Sequence, residues 1–191
     1  MDIKEFVNYA APQTIELNSG KLAGENVFET VKTLKELGGI FEDENAWYEM
    51  DGTTIVYKVL VHAPVEKNTE GGLFFGTTYL MPGKVGNEYF LTQGHFHKIV
   101  NRSEYYWGIE GDGVLLLMNS NLEIKTEKMN RGSLHYIPAD TAHRVINYAS
   151  TVLSFGACWP ADAGYDYDEI KQNGFSARLK DINGKPFLIP T

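Results

Sequence analysis

The chain has 191 residues, with 25 acidic and 17 basic side chains and a formal net charge of −8. No run of lysine or arginine offers the basic patch that a nucleic acid or an anionic membrane surface requires, so neither partner is expected. No stretch approaches the roughly eighteen apolar residues of a membrane span, and MDIKEFVNYAAPQ at the start lacks an apolar core of signal-peptide length.

The acidic balance does not exclude a small phosphorylated ligand, which backbone N–H groups, hydroxyls and one or two cations can hold locally. Cys158 is the only cysteine. No intrachain disulfide can form, a usage that fits a reducing compartment, and a cytoplasmic location is expected. Cys158 itself reads as a small buried apolar residue.

In chain order, residues 26–37 (NVFETVKTLKEL) read as the clearest helix. Asn26 can cap it, Glu29 can reach back, Val27, Phe28, Val31 and Leu34 make an apolar stripe, and Gly38-Gly39 stops it. From residue 53 the pattern changes to short β-type runs: 53–62, 72–81, 88–92, 104–111, 113–118, 122–129, 133–138, 143–148 and 151–159. Breakers such as PGKVGN, GDG, NSN and NRG separate them, and many short strands at this spacing indicate an all-β sandwich or barrel. A second short helix is expected at 167–173, started by Asp166 and ended by Gly174. Nothing in composition suggests a linker dividing domains, and 191 residues suffice for one well-buried core.

The segment YFLTQGHFHKIVNRSEYY (89–106) holds two of the five histidines, one residue apart. On a strand, residues i and i+2 share a face, so His95 and His97 make one side of a metal site if the segment is extended. Paired polar residues on an exposed strand are the alternative. Glu104 opens the next aromatic-rich strand. Further on come Gly132, Pro138, Asp140, His143 and Asn147, where a strand, a tight turn and a returning strand would aim His143 inward.

These residues resemble the two motifs of the cupins. The first reads His95-x-His97-x6-Glu104-x6-Gly111, and the second Gly132-x5-Pro138-x-Asp140-x2-His143-x3-Asn147. Asp140 replaces the usual glycine, and Asp tolerates left-handed geometry better than most residues. The blocks 81–106, YIPADTAHRVIN (136–147) and WPADAGYDY (159–167) look like the cupin-type glucose-6-phosphate isomerases of archaea and some bacteria. The long gap before Glu104 is a feature of that family, and the resemblance runs from about residue 40 to 178.

The resemblance implies a cupin-type antiparallel β-barrel (a double-stranded β-helix or jelly roll) with a few short peripheral helices. It implies one cupin domain over residues 1–191, with an N-terminal extension (about 1–50) and a C-terminal tail (about 166–191) packed on the barrel. The family is usually dimeric, so a homodimer is expected. The implied activity is metal-dependent interconversion of glucose 6-phosphate and fructose 6-phosphate. Mannose-6-phosphate isomerisation, an iron cupin dioxygenase and a non-catalytic sugar-binding cupin stand as alternatives.

Three imidazoles and a carboxylate (His95, His97, Glu104, His143) suit a divalent first-row metal with open positions, such as Fe²⁺, Mn²⁺, Ni²⁺ or Zn²⁺, and argue against Ca²⁺. The family resemblance favours Fe²⁺, one per chain. Glu104 is the natural base for moving a proton between C1 and C2 of an open-chain sugar through a cis-enediol. A metal-assisted hydride shift, which needs no base, is the rival. Tyr106, two residues on and facing the same way, can position the base or a water, or simply pack in the core. The resemblance assigns the phosphate to Thr78, Thr92, the backbone of Gly94, and the hydroxyls of Tyr57 and Tyr167. From the residues alone, these would be ordinary strand positions. Lys84 in PGKVG is a weak additional phosphate hint. Trp159 and Tyr165 depart from the family, where tyrosine and histidine are usual, which puts a ring-opening histidine in doubt here. His62 and His135 match no motif position.

Overall fold

In the computed structural model, which describes residues 11–191, antiparallel strands dominate. Two short strands, β1 (Thr14–Ile15) and β2 (Leu22–Ala23), pair with each other. They lead to β3 (Val27–Thr33), a single 3-10 turn at Leu34–Leu37 and a six-residue helix, α1 (Glu44–Glu49). The body follows: β4 (Ile55–His62), β5 (Leu73–Leu80), β6 (Lys84–Val85), β7 (Glu88–Tyr89), β8 (Glu104–Glu110), β9 (Asp112–Asn119) and β10 (Ile124–Asn130). It continues through β11 (Leu134–Ile137), β12 (Thr141–Ile146), β13 (Leu153–Pro160), α2 (Tyr167–Asn173), β14 (Ala177–Ile182) and β15 (Lys185–Pro190). Every β-type run read from the sequence contains a strand, though the 88–92 run is regular only at β7.

A six-stranded sheet runs β11-β8-β13-β5-β4-β3, and a three-stranded sheet runs β10-β9-β12. Buried side chains from both contribute to one core cluster, among them Val56, Leu80, Leu153 and Phe155 from the first sheet and Leu115, Leu117 and Val145 from the second. Each such residue contributes about 1.5–3 kcal/mol by leaving water. This is an all-β, jelly-roll-like arrangement of antiparallel sheets, consistent with the expected fold class. A smaller sheet, β15-β14-β7-β6, lies beside it. The first ten residues of the expected N-terminal extension lie outside the described residues. No helix of the described residues is long and apolar enough to cross a membrane.

The helix expected at 26–37 is not formed. Val27–Thr33 is instead the edge strand β3, paired antiparallel with β4 from Val27↔His62 to Thr33↔Ile55. Its sequence, VFETVKT, is rich in β-branched and aromatic residues, which lose rotamer freedom in a helix and pack well on a pleated surface. An open sheet edge then satisfies its backbone. Only Leu34–Leu37 turns helically, burying Leu34 and Leu37 completely. The Glu36 carboxylate accepts from the Thr33 N–H and the Thr33 hydroxyl, each at 3.0 Å.

The second helix, α2, forms where the sequence places it. Asp166 accepts from Glu169 N–H at 3.3 Å, and Gly174 follows with φ 72°. The short strands β1, β2 and β6, the helix α1 and the β14–β15 hairpin escaped the sequence reading. Asp43 caps α1 through Ala46 N–H at 2.9 Å. The β14–β15 hairpin turns at Asn183-Gly184, a strong two-residue hairpin signal that the sequence did contain.

Asp140, the departure from the second cupin motif, adopts φ 54°, so the left-handed turn is kept. Its carboxylate accepts from the Ser120 hydroxyl at 2.7 Å. Asn147, fully buried, donates from Nδ2 to the carbonyls of Leu80 (2.9 Å) and Thr151 (2.8 Å), tying β12's exit to the larger sheet. Cys158 is half-buried on β13 rather than fully buried as expected.

Candidate metal and active site

The segment carrying the histidine pair is extended. Leu91 bridges Ile146, and His95 and His143 exchange backbone hydrogen bonds at 3.4 and 3.2 Å. This local pairing sets His95 beside His143, with ring centroids 4.4 Å apart. Glu104 opens β8, and its Oε1 lies 2.5 Å from His143 Nε2 and 3.5 Å from His97 Nε2. One ligand atom from each of His95, His97, Glu104 and His143 fits within a 4.8 Å span.

His95 Nε2, His97 Nε2, His143 Nε2 and Glu104 Oε1 are all shielded from solvent and lack a hydrogen-bond partner. Buried polar atoms without partners are rare in native proteins, and four converging on one point fit a cation-binding site. Two of the imidazoles are also set in the ligating orientation. His97 Nδ1 lies 2.9 Å from the Arg102 carbonyl and His143 Nδ1 lies 3.3 Å from the Thr141 carbonyl. A proton on each Nδ1 leaves the Nε2 lone pair facing the centre. The donor set therefore fits a divalent transition metal.

The long gap between His97 and Glu104 has a structural purpose. Arg102, inside the gap, grips Asp162 with both Nε (2.9 Å) and Nη2 (2.7 Å), and its carbonyl is the one that orients His97. These hydrogen bonds hold the Asp162 carboxyl below the usual carboxylate range. The loop is thus clamped from behind.

Electrostatics follow burial and neighbours. Burial works against ionisation of Glu104, yet the charge and close approach of His143, the nearby His97 ring and, last, the charge of His95 hold its carboxyl far below the usual range. Burial, reinforced by His143, pushes His95 well below an ordinary histidine. For Tyr106, burial and the Glu104 charge keep the phenol protonated far beyond its ordinary range.

A cavity of about 280 Å³ opens onto the cluster. His95, Glu104 and His143 form its floor, while His97 lies outside the cavity wall. Tyr106, Tyr57, Thr78, Thr92, Gly94 and Tyr167 all line it. Tyr165 and Trp159 line it as well, with Tyr165 stacked on Tyr167 at 5.6 Å and edge-on to His95 at 4.8 Å. Among the other lining residues, the polar Thr30, Lys32 and Gln93 were not anticipated. Thr30 and Lys32 belong to β3, so reading that segment as a helix concealed them. Lys84 does not reach the cavity. It pairs with Asp181 at 2.5 Å. His62 lies on β4, and the buried His135 is bound by Glu127 and Ser133, so neither joins the metal cluster.

A family model described as glucose-6-phosphate isomerase (GPI) matches residues 31–186. The glucose-6-phosphate isomerase of Thermococcus litoralis is 39% identical over 181 residues, covering 94% of both chains. That of Pyrococcus furiosus is 38% identical over 90% of this chain and 89% of its own. A putative glucose-6-phosphate isomerase of Rhizobium meliloti is 40% identical over 78% of this chain and 71% of its own. Among solved structures, oxalate decarboxylase from Bacillus subtilis aligns at a TM-score of 0.44 and 20% identity, over 57% of this chain and 26% of that one. The family model over residues 31–186 and 39% identity over nearly the full length agree with the site geometry: this chain belongs to the glucose-6-phosphate isomerase family.

Proposed function

We propose that this chain interconverts glucose 6-phosphate and fructose 6-phosphate, using one divalent metal held by His95, His97, Glu104 and His143. The observation that supports this most directly is the set of four converging, partnerless ligand atoms at the floor of a cavity lined with hydroxyls. Family membership favours Fe²⁺, with Mn²⁺, Ni²⁺ and Zn²⁺ as alternatives that the same donors accept. A bound metal would polarise the sugar's carbonyl and stabilise negative charge developing on its oxygens.

The chain's own residues supply the rest. Glu104, ionised by its imidazole neighbours, takes the proton from the carbon beside the carbonyl and returns it to the other carbon of the cis-enediol. Glu104 would also be one of the four residues holding the metal, so the same carboxylate would serve as ligand and as base. Tyr106 remains a neutral donor and orients the Glu104 carboxylate or a sugar hydroxyl. Thr78, Thr92, the Gly94 N–H, Tyr57 and Tyr167 receive the phosphate. We further read residues 1–191 as one cupin domain, acting in the cytoplasm as a homodimer.

Isomerisation assayed with each divalent metal and with chelator tests the function. Activity that requires metal and disappears in metal-loaded Glu104→Gln supports it; full activity in metal-free Glu104→Gln overturns it. Sugar labelled with hydrogen isotope at C2 and turned over in deuterated water separates the mechanisms. Exchange with solvent supports the enediol, whereas complete retention in a site shown to admit water favours hydride transfer.

A further inference from the structure

Arg144 follows the ligand His143 on β12 and is only 3% exposed. Among the described residues no carboxylate lies within ion-pair distance of it. The buried acid in its neighbourhood, Glu88, is engaged by Arg178 Nη1 at 2.9 and 3.1 Å and by the Glu42 N–H at 3.0 Å. The Arg144 guanidinium lies 4.4 Å over the Phe175 ring, its Nε has no hydrogen-bond partner, and its Nη2 donates to the Gln93 carbonyl at 2.6 Å. A buried charge without a counter-charge is costly, and the fold keeps one here.

The single side-chain bond that Arg144 makes falls on the cavity wall. Gln93 and Gly94 line the cavity, whereas Arg144 and Phe175 stand behind them. A Cβ placed on Gly94 would come within 3.1 Å of Arg144 Nε and 2.8 Å of the Phe175 ring, so the guanidinium packs directly against the Gly94 backbone. Gly94 also sits at φ 76°, a conformation natural to glycine. In a trans peptide the carbonyl and the following N–H point in opposite directions. Pinning the Gln93 carbonyl to Arg144 behind the wall therefore turns the Gly94 N–H toward the cavity, and among the described residues no acceptor takes it. Next to it, the Thr92 hydroxyl oxygen accepts from Val145 N–H at 3.0 Å, which leaves the hydroxyl proton free to donate.

We propose that Arg144 is a positioning residue for the substrate's anionic end: it aims the Gly94 N–H into the cavity and sets an unpaired positive charge directly behind the Thr92–Gly94 donors. This rests on the reading that those donors receive the phosphate. The ligand's negative charge supplies the counter-charge the fold withholds, favouring phosphorylated over neutral sugars.

The test compares wild type with Arg144→Met, Arg144→Lys and Thr92→Val as metal-loaded protein. The readouts are KM and kcat for the sugar phosphate, competitive inhibition by inorganic phosphate and by a neutral polyol, and metal content. Arg144→Met should raise KM and the phosphate inhibition constant by about tenfold or more, as for loss of a charge-assisted interaction. The loss should fall on KM more than on kcat, leave polyol inhibition within roughly twofold and be smaller in Arg144→Lys, which retains charge. If Arg144→Met does not fold, the same comparison is read in Arg144→Lys, where lost peptide orientation alone should raise the phosphate constant several-fold. An unchanged phosphate constant in a folded Arg144 variant, with Thr92→Val weakened, overturns the role of Arg144. An unchanged constant in Thr92→Val as well shows that the phosphate reading itself has failed. An equal loss of phosphate and polyol binding marks Arg144 as structural and likewise overturns the proposal.

Discussion

Glu104 Oε1 lies 2.5 Å from His143 Nε2, both buried, and neither atom finds a conventional hydrogen-bond partner. One carboxylate oxygen therefore faces the point where a cation would sit while belonging to the group proposed to move the proton. Its two roles can be separated. Glu104→Gln keeps the shape and removes the basicity. Measured at saturating metal, kcat should fall by about 10²–10⁴-fold, the scale of a lost general base. A variant with more than a tenth of wild-type kcat would remove Glu104 from the proton-transfer step.

The Arg102–Asp162 clamp should act on metal binding from a distance. Asp162→Asn releases the guanidinium whose residue offers its carbonyl to His97 Nδ1, and metal affinity should drop by roughly tenfold, as for other groups that orient metal ligands. The pH dependence has a defined sign. Arg102 lowers the Asp162 pKa, so the clamp's stabilisation is fully present above the unfolded carboxyl's value of about 4 and is lost as pH falls through the lower folded value. Metal content of the variant after dialysis against a weak chelator checks this. Retention equal to wild type would make the clamp irrelevant to the site.

Removing the metal should lower stability as well as activity. A ligand bound only by the folded state stabilises it by about 2.7 kcal/mol when present at 100 times its Kd. Without it, four buried polar atoms remain unpartnered. Calorimetric Tm should fall on exhaustive chelation and recover on adding back Fe²⁺ or Mn²⁺. An unchanged Tm would mean that the cluster binds no metal in the folded protein.

Lys32 lines the cavity and pairs with Glu36 at 3.2 Å, its side chain 36% exposed. Lys32→Gln should raise KM for the sugar phosphate about three- to tenfold at low salt, and the difference should shrink at high ionic strength, where exposed charges are screened. Glu36→Gln should act in the opposite direction, because the substrate no longer competes with Glu36 for the cation. KM measured for both variants across a salt series decides. Equal effects of the same sign would point to a general disturbance of β3.

Much of the site was legible because its logic is local. The His95-x-His97 pair, Glu104, and the spacing from Gly132 to Asn147 are short-range patterns tied to strand alternation and to one turn, and alternation survives folding. The residues 27–33 were not legible in that way. Val27, Phe28, Val31 and Leu34 satisfy a helical stripe as written, and only a partner strand reveals that VFETVKT is an edge strand. Phe28, counted in the apolar stripe, is 58% exposed.

By itself the sequence determined the class of fold, the family motifs and the four residues of the candidate metal cluster, because alternation, breakers and fixed spacings are set by the backbone's own geometry. Only the tertiary structure decided that Lys32 and Thr30 reach the cavity, that Arg102 and Asp162, sixty positions apart, meet to orient His97, and that Arg144 is buried without a counter-charge. Those facts depend on which strands become neighbours, and burial energy summed over the whole core makes that choice.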